Sequence, residues 1–287
     1  MIYFTENDID RLIEDDVPAG DMTTSLLKLH GKHGRICLSA RQEMTICCTE
    51  EVTRMYHKAG LYVRYAVASG IRLAAGDRIL EAEGDAGALH LIWRTGAAMI
   101  EFASGIASRT DRLITLAKTI NPSVSVAGTR KHPPYLKKVA LKGLLAGGGV
   151  PHRTGLSDTI LIFKEHLLFS GGYENLSETI AGVKKQQKER KIVVEAHTRE
   201  QVMQCARAGA DAIQIDKMPP EQFLACTLAS RDLVPGICII AAGGINAANA
   251  PAYVKAGADV LVTSWMYYAP PADIHVEITP DSNTFLA

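Results

Sequence analysis

No stretch of this 287-residue chain approaches the ~18 consecutive apolar residues of a membrane-spanning helix. An excess of charge is also missing: Lys+Arg and Asp+Glu both number 31. The molecule therefore has no net field to draw it to nucleic acid or to a membrane, and any electrostatic function must come from local clustering. None of the six cysteines forms a C-x-x-C pair, which argues against a zinc ribbon and a dithiol redox motif. His90, His197 and His275 have no metal-ligand spacing and are expected to be structural or exposed. The N-terminal run MIYFTENDIDRL carries early acids and no apolar segment, unlike a signal peptide. Reduced cysteines and no leader fit a cytoplasmic protein.

What is present is apolar material, 47% of residues, in a length suited to one large α/β barrel or two ordinary domains. The first 90 residues look mixed. Thr5 can cap a short helix bearing Ile9, Leu12 and Ile13 on one face. Alternating segments near 35–40, 61–67 and 78–83 read as strands, with a helix over 49–58. A long helix covers about 90–118. From there, short apolar runs alternate with amphipathic stretches: strands near 124–127, 159–163, 191–194, 211–215, 237–241 and 259–263, and helices near 136–144, 175–187, 198–208, 220–230 and 247–256. This alternation predicts parallel βα units. A local repeat supports it. Arg207-Ala208-Gly209-Ala210-Asp211 and Lys255-Ala256-Gly257-Ala258-Asp259 each lead into an apolar strand, as at the αβ corners of barrels. Barrels place their chemistry at the C-terminal ends of strands.

The polar residues at those ends are distinctive. Residues 128–153 contain Arg130, Lys131, Lys137, Lys138, Lys142, Arg153, His132 and His152 but no carboxylate. Lys137, Lys138 and Lys142 read as a solvated helix face. Arg130, Lys131 and Arg153 fall at strand ends and point to an anionic ligand, phosphate or carboxylate. Gly147-Gly148-Gly149 would allow the backbone to approach that ligand. Gly243-Gly244 lies between a late strand and a helix, a setting that suits a phosphate. Glu195 and Asp216 also end strands. Facing a basic site, they suit Mg2+ held through a diphosphate, or a cationic sugar. On the residues alone, ordinary ion pairing of these acids stays open, and Arg94 reads as a surface arginine.

Together these stretches resemble the quinolinate phosphoribosyltransferase family over about residues 10–275. The resemblance rests on Glu14-Asp15-Asp16 through Gly20-Asp21-Met22-Thr23, on Arg94-Thr95 with Ser104-Gly105-Ile106-Ala107, on Gly128-Thr129-Arg130-Lys131, on the run 147–158 (GGGVPHRTGLSD), and on Glu195, Asp216 and the later Gly243-Gly244-Ile245. It implies an N-terminal α/β sandwich and a C-terminal α/β barrel of the type II phosphoribosyltransferase kind. We place these at 1–98 and 99–269, with the tail 270–287 returning to the first domain and 282–287 disordered. The resemblance also implies roles. Arg130, His152 and Arg153 would bind substrate carboxylates. Lys131 would contact phosphoribosyl diphosphate and act in catalysis with Glu195 and Asp216, which would face ribose and Mg2+. Gly243 and Gly244 would hold the 5′-phosphate. Arg94 would enter the neighbouring subunit's site, making a homodimer or larger homo-oligomer. The family reaction joins quinolinate to phosphoribosyl diphosphate with loss of pyrophosphate and CO2.

Departures from the family pattern fall on the acceptor side. Where the family has LIKxNH, this chain has Leu161-Ile162-Phe163-Lys164-Glu165-His166, so the lysine position holds Phe163 and Lys164 comes one residue late. Lys164 is a candidate substrate-binding residue, and whether it or Phe163 points into the barrel mouth stays open: a bulge would be needed to bring Lys164 in. The late G-x-x-x-H-S becomes Ser264-Trp265-Met266-Tyr267-Tyr268-Ala269. The pattern is closer to a ModD-like branch, named for an association with molybdenum transport. The expected activity is phosphoribosyl transfer to a carboxylated heteroaromatic acceptor, quinolinate or an analogue. The alternative is a non-catalytic barrel that binds a phosphometabolite or oxyanion in molybdenum homeostasis.

Overall fold

The computed structural model describes residues 2–281. In chain order it contains α1 (Glu6–Asp16), α2 (Met22–Leu26), β1 (His33–Ala40), β2 (Met44–Thr45), α3 (Thr49–Lys58), β3 (Tyr62–Ala66), β4 (Arg72–Leu73), β5 (Arg78–Asp85) and the long α4 (Ala86–Lys118). There follow β6 (Ser125–Gly128), α5 (Lys137–Ala146), β7 (Val150–Pro151), β8 (Ile160–Ile162), α6 (Lys164–Leu168), α7 (Leu176–Gln186), β9 (Ile192–Ala196) and α8 (Arg199–Arg207). The chain continues through β10 (Ala212–Asp216), α9 (Pro220–Leu233), β11 (Cys238–Ala242), α10 (Ala250–Lys255), β12 (Val260–Thr263), a 3-10 turn (Trp265–Tyr268) and β13 (Ile274–Pro280).

Contacts divide the chain into two compact units: one of residues up to Asp111, 132–148 and from Met266 on, the other of 112–131 and 149–265. The division thus falls inside α4, beyond the expected boundary at 98/99. The reason is packing: Leu89, Ile92, Ile100, Ala103 and Ala107 of α4 all belong to the core of the first unit.

That first unit is built on an antiparallel sheet in the order β13-β1-β5-β3. Inward Ile36, Leu38 and Ala40 alternate along β1, as a half-buried strand requires. The tail strand β13 pairs with β1 from Gly34↔Pro280 to Ala40↔Ile274. Residues 282–287, expected to be disordered, lie outside the described residues. Helix α1 starts as its sequence predicts: Thr5 Oγ1 accepts from the Asp8 amide at 3.1 Å, and Asp8 accepts from the Thr5 amide at 2.6 Å. Such a capping box contributes about 1 kcal/mol.

Helix α5 follows β6 in the chain but belongs to this unit, where Val139 joins the core. Its basic face is not simply solvated. Lys138 pairs with Asp8 at 2.5 Å, and Lys142 pairs with both Glu50 and the buried Glu51. The glycine run has a structural use as well. A Cβ on Gly147 would overlap Ala107 O and Thr110, so glycine there lets the end of α5 press on α4, while Gly148 takes a φ of +84° that favours glycine.

In the second unit seven parallel strands lie in the order β7-β6-β12-β11-β10-β9-β8. Edge strands β7 and β8 are not paired, so the barrel is open at that seam. Six strand spacings would put the two edges roughly 29 Å apart in a flat sheet. Yet Arg153, just past β7, lies with its guanidinium carbon 5.9 Å from the Phe163 ring at the end of β8. The sheet must therefore curl. Its interior is filled by Ala127, Leu161, Val193, Ala212, Ile240, Ala242 and Val262, one or two from each of six strands. The repeated αβ corner has a structural use. Asp211 accepts from the Ile192 amide at 2.7 Å and Asp259 from the Ile239 amide at 2.8 Å, each tying its corner to the start of the neighbouring strand.

Candidate active site

Side chains alternate along a strand, so the inward set continues past the core to the mouth. On β9, inward Val193 leads to Glu195, and on β10 inward Ala212 leads to Gln214 and Asp216. Beyond β8, Leu161 leads to Phe163. These residues, with Thr129, Arg130, Lys131, His152, Arg153, Lys217, Gly243, Gly244 and Trp265, line one cavity of ≈ 580 Å³ at the C-terminal ends of the strands.

One wall is cationic. Arg130 and Lys131 follow β6, and the Lys131 amide donates to Thr129 Oγ1 at 3.1 Å, tightening the turn. His152 is fixed by its amide, which donates to Gly128 O at 2.9 Å. Arg153 is 9% exposed and packs over Phe163, with no carboxylate ion pair among the described residues. Burial and the nearby Arg130 guanidinium hold Arg153 below its ordinary range. Burial, reinforced by Arg153, also lowers His152, which favours the neutral imidazole. Asp158 opposes the shift of Arg153 only through space, and a buried cation without a direct ion pair is costly, a cost that an anionic ligand would offset.

The facing wall is acidic. Glu195 and Gln214 are neighbours in the β9–β10 register, and Gln214 Nε2 donates to Glu195 Oε2 at 2.7 Å. Burial raises the Glu195 carboxyl above its ordinary value; Asp216 adds to the rise and the Gln214 hydrogen bond opposes it. His197 stands beside both acids, 3.4 Å from Glu195 and 3.9 Å from Asp216. Tyr173 donates its hydroxyl to Glu195 O at 2.7 Å, which fixes the strand end.

Between these walls lies the glycine turn. Gly243 and Gly244 have φ of +84° and +77°. A Cβ on Gly243 would sit 2.5 Å from Asp216 Oδ1, so glycine is what lets this turn lie against the acid. Helix α10 begins only at Ala250, later than predicted, because Asn246 and Asn249 close the turn by donating to Gly244 O at 3.1 and 3.0 Å. Any phosphate grip here comes from the turn, not from a helix end.

Eight of the ten residues expected at the site thus share one cavity: Arg130, Lys131, His152, Arg153, Glu195, Asp216, Gly243 and Gly244. Two do not. For Lys164 the open alternative is decided against the lysine: no bulge brings it to the mouth. The β8–β9 register is regular, Phe163 takes the inward position, and Lys164 opens α6 with its side chain 61% exposed. Arg94 lies in the first unit, 3.6 Å from Glu101 and beside Asp15, Asp16 and Thr95. Sequence reasoning missed Gln214, His197 and Lys217. Strand alternation back from Asp216 would have found Gln214. His197 was set aside as structural or exposed, although it follows Glu195 by two residues.

The fold and cavity define an open α/β-barrel protein whose mouth sets basic side chains opposite acidic ones. Comparison makes this specific. Residues 106–277 match "Quinolinate phosphoribosyl transferase, C-terminal domain" and residues 21–104 the corresponding N-terminal domain. The chain belongs to the quinolinate phosphoribosyltransferase family, whose enzymes are pentosyltransferases. It is 39% identical over 250 residues to the Rhodobacter capsulatus protein named "Putative pyrophosphorylase ModD", covering 87% of this chain and 96% of that one. A protein of the same name from Escherichia coli O157:H7 is 33% identical over 280 residues, covering 98% and 99%. The solved nicotinate-nucleotide pyrophosphorylase of Francisella tularensis shares the fold, with a TM-score of 0.85 at 22% identity, covering 97% of this chain and 99% of that one. Among the described residues no helix is long and apolar enough to cross a membrane.

Proposed function

We propose that this protein transfers phosphoribose from phosphoribosyl diphosphate to a carboxylated heteroaromatic acceptor, quinolinate or an analogue, and releases pyrophosphate. The observation that carries the reading is the opposition, across one cavity, of Arg130 and Arg153, which form no direct carboxylate ion pair among the described residues, to the Glu195–Asp216 acid pair. Loss of pyrophosphate leaves positive charge on the ribose carbon and negative charge on the leaving group. Fixed charges of both signs, aimed at where those charges develop, lower the barrier. Glu195 and Asp216 would stabilise the cationic ribose, Lys131 the diphosphate, and the Gly243-Gly244 turn the 5′-phosphate. Arg130, His152 and Arg153 would take the acceptor carboxylate.

Magnesium fits this arrangement as a shared ion. No group of three or more ligating side chains able to hold a metal forms among the described residues. Two mutually repelling carboxylates suit an ion that arrives with diphosphate and keeps part of its water. When bound, it would neutralise charge on the leaving group. Arg94, outside the cavity lining of its own chain, would complete the site of a second copy in a homodimer or larger homo-oligomer.

The test is pyrophosphate release from phosphoribosyl diphosphate and Mg2+ across a panel of pyridine and other heteroaromatic carboxylates. At least one acceptor should give release, and Arg130→Ala and Glu195→Gln should each lower it about 100-fold or more. Binding of phosphoribosyl diphosphate without release from any acceptor would favour a non-catalytic anion-binding barrel. Neither binding nor release would end the reading.

A further inference from the structure

Lys217 lines the cavity directly after Asp216, and its backbone is unusual. Its φ is +55°, and among the described residues it is the one non-glycine residue of the barrel unit in the left-handed region. A lysine there is strained, and such conformations persist where the surroundings impose them. The surroundings are visible. The Lys217 amide donates to Ala242 O at 2.9 Å, which extends the β10–β11 ladder by one bond. A Cβ on Gly243 would sit 2.5 Å from Lys217 Cγ and 2.8 Å from its amide nitrogen. The lysine stem is thus laid along the Gly243-Gly244 turn, and glycine at 243 is what leaves it room. No ion pair joins Lys217 to a carboxylate among the described residues. In strand order β10 is three places from β6, roughly 14 Å along the sheet. Lys217 therefore supplies a cation on the side of the mouth away from Arg130 and Lys131.

We infer that Lys217 and the Gly243-Gly244 turn form one grip for a phosphate monoester, separate from the Arg130–Lys131 wall. The inference rests on the phosphoribosyl-transfer reading and adds to it a second charged binding residue. A ligand with phosphate at one end and diphosphate at the other needs cations at both ends. The left-handed turn delivers the lysine stem along the glycine turn, whereas an extended residue 217 would carry it to the opposite face of the strand.

Two variants separate charge from backbone. Lys217→Asn removes the cation and keeps a residue type tolerated in the left-handed region. Lys217→Arg keeps the charge. Calorimetry with ribose 5-phosphate, pyrophosphate and phosphoribosyl diphosphate, each with Mg2+, reads the result. In Lys217→Asn, ribose 5-phosphate should bind roughly 10-fold or more weakly, as expected for losing a charge-assisted contact. Pyrophosphate binding should change less than about 2-fold, and the melting temperature should hold or rise. Lys217→Arg should keep most of the affinity. Equal binding of ribose 5-phosphate by wild type and Lys217→Asn overturns the inference and leaves phosphoribosyl transfer standing. So does a loss that falls equally on pyrophosphate. If wild type binds none of the three ligands, both fall together.

Discussion

Two groups of basic residues share the acid-free segment 128–153 and have opposite fates. Lys138 and Lys142, on α5, are neutralised within their own unit by Asp8, Glu50 and Glu51. Arg130 and Arg153, at the ends of β6 and β7, form no direct carboxylate ion pair among the described residues, and Asp158 acts on Arg153 only from a distance. Local sequence is equally basic in both places, so composition does not distinguish them. What distinguishes them is whether distant parts of the chain bring carboxylates. Satisfied lysines hold structure together, and unsatisfied arginines keep a charge available for a ligand.

The sharpest way to break this comparison is Lys142→Met. Lys142 is 16% and Glu51 8% exposed at the side chain, so the change strands a buried carboxylate. Stability should fall by roughly 3 kcal/mol, read by denaturant unfolding, with ligand affinity of the folded protein unchanged. A loss of affinity at constant stability would place α5 in the site.

The second change acts on the other group. Phe163→Lys adds a cation beside Arg153, whose guanidinium lies over the Phe163 ring. Affinity for pyridine-2,3-dicarboxylate should rise roughly 10-fold by calorimetry, with some loss of stability from repulsion between like charges. No gain would show that position 163 does not face the acceptor.

The smallest effect is expected from Lys138→Met, at less than about 1 kcal/mol, because this pair is partly exposed. Its signature is in acid. Hydrogen bonds from Lys138 and then Thr5 hold the Asp8 carboxyl down at about 2. A depressed carboxylate contributes stability that is full above the unfolded value near 3.8 and is lost as pH falls toward 2. The variant should flatten that acid limb; an unchanged limb would assign the shift to Thr5 alone.

Much of the barrel was legible because its signal is local. The runs near 191–194, 211–215, 237–241 and 259–263 became β9 to β12 within a residue or two, since parallel strands buried on both faces are continuous apolar runs. The Thr5 cap was legible for the same reason. Strands β2, β4 and β7 were not, because two residues carry no periodicity. Nor was the membership of α5 in the first unit, which depends on contacts with α4, Asp8 and Glu51 far away in sequence. At the site, strand-end placement identified Arg130, Glu195 and Asp216. It failed at Lys164, where one residue of alternation gives the cavity to Phe163. It had no access to Lys217, whose placement depends on a positive φ imposed by the neighbouring glycine turn.

By itself, then, the sequence determined the family, the order of βα units and most of the charged residues at the mouth, because each is written in short-range pattern. Tertiary structure alone decided which of two equally basic clusters is paired and which is left charged. It also decided that Phe163 lines the cavity in place of a lysine, and that Lys217 lies along the Gly243-Gly244 turn. Those outcomes depend on the curl of the sheet, on register, and on carboxylates that arrive from elsewhere in the chain.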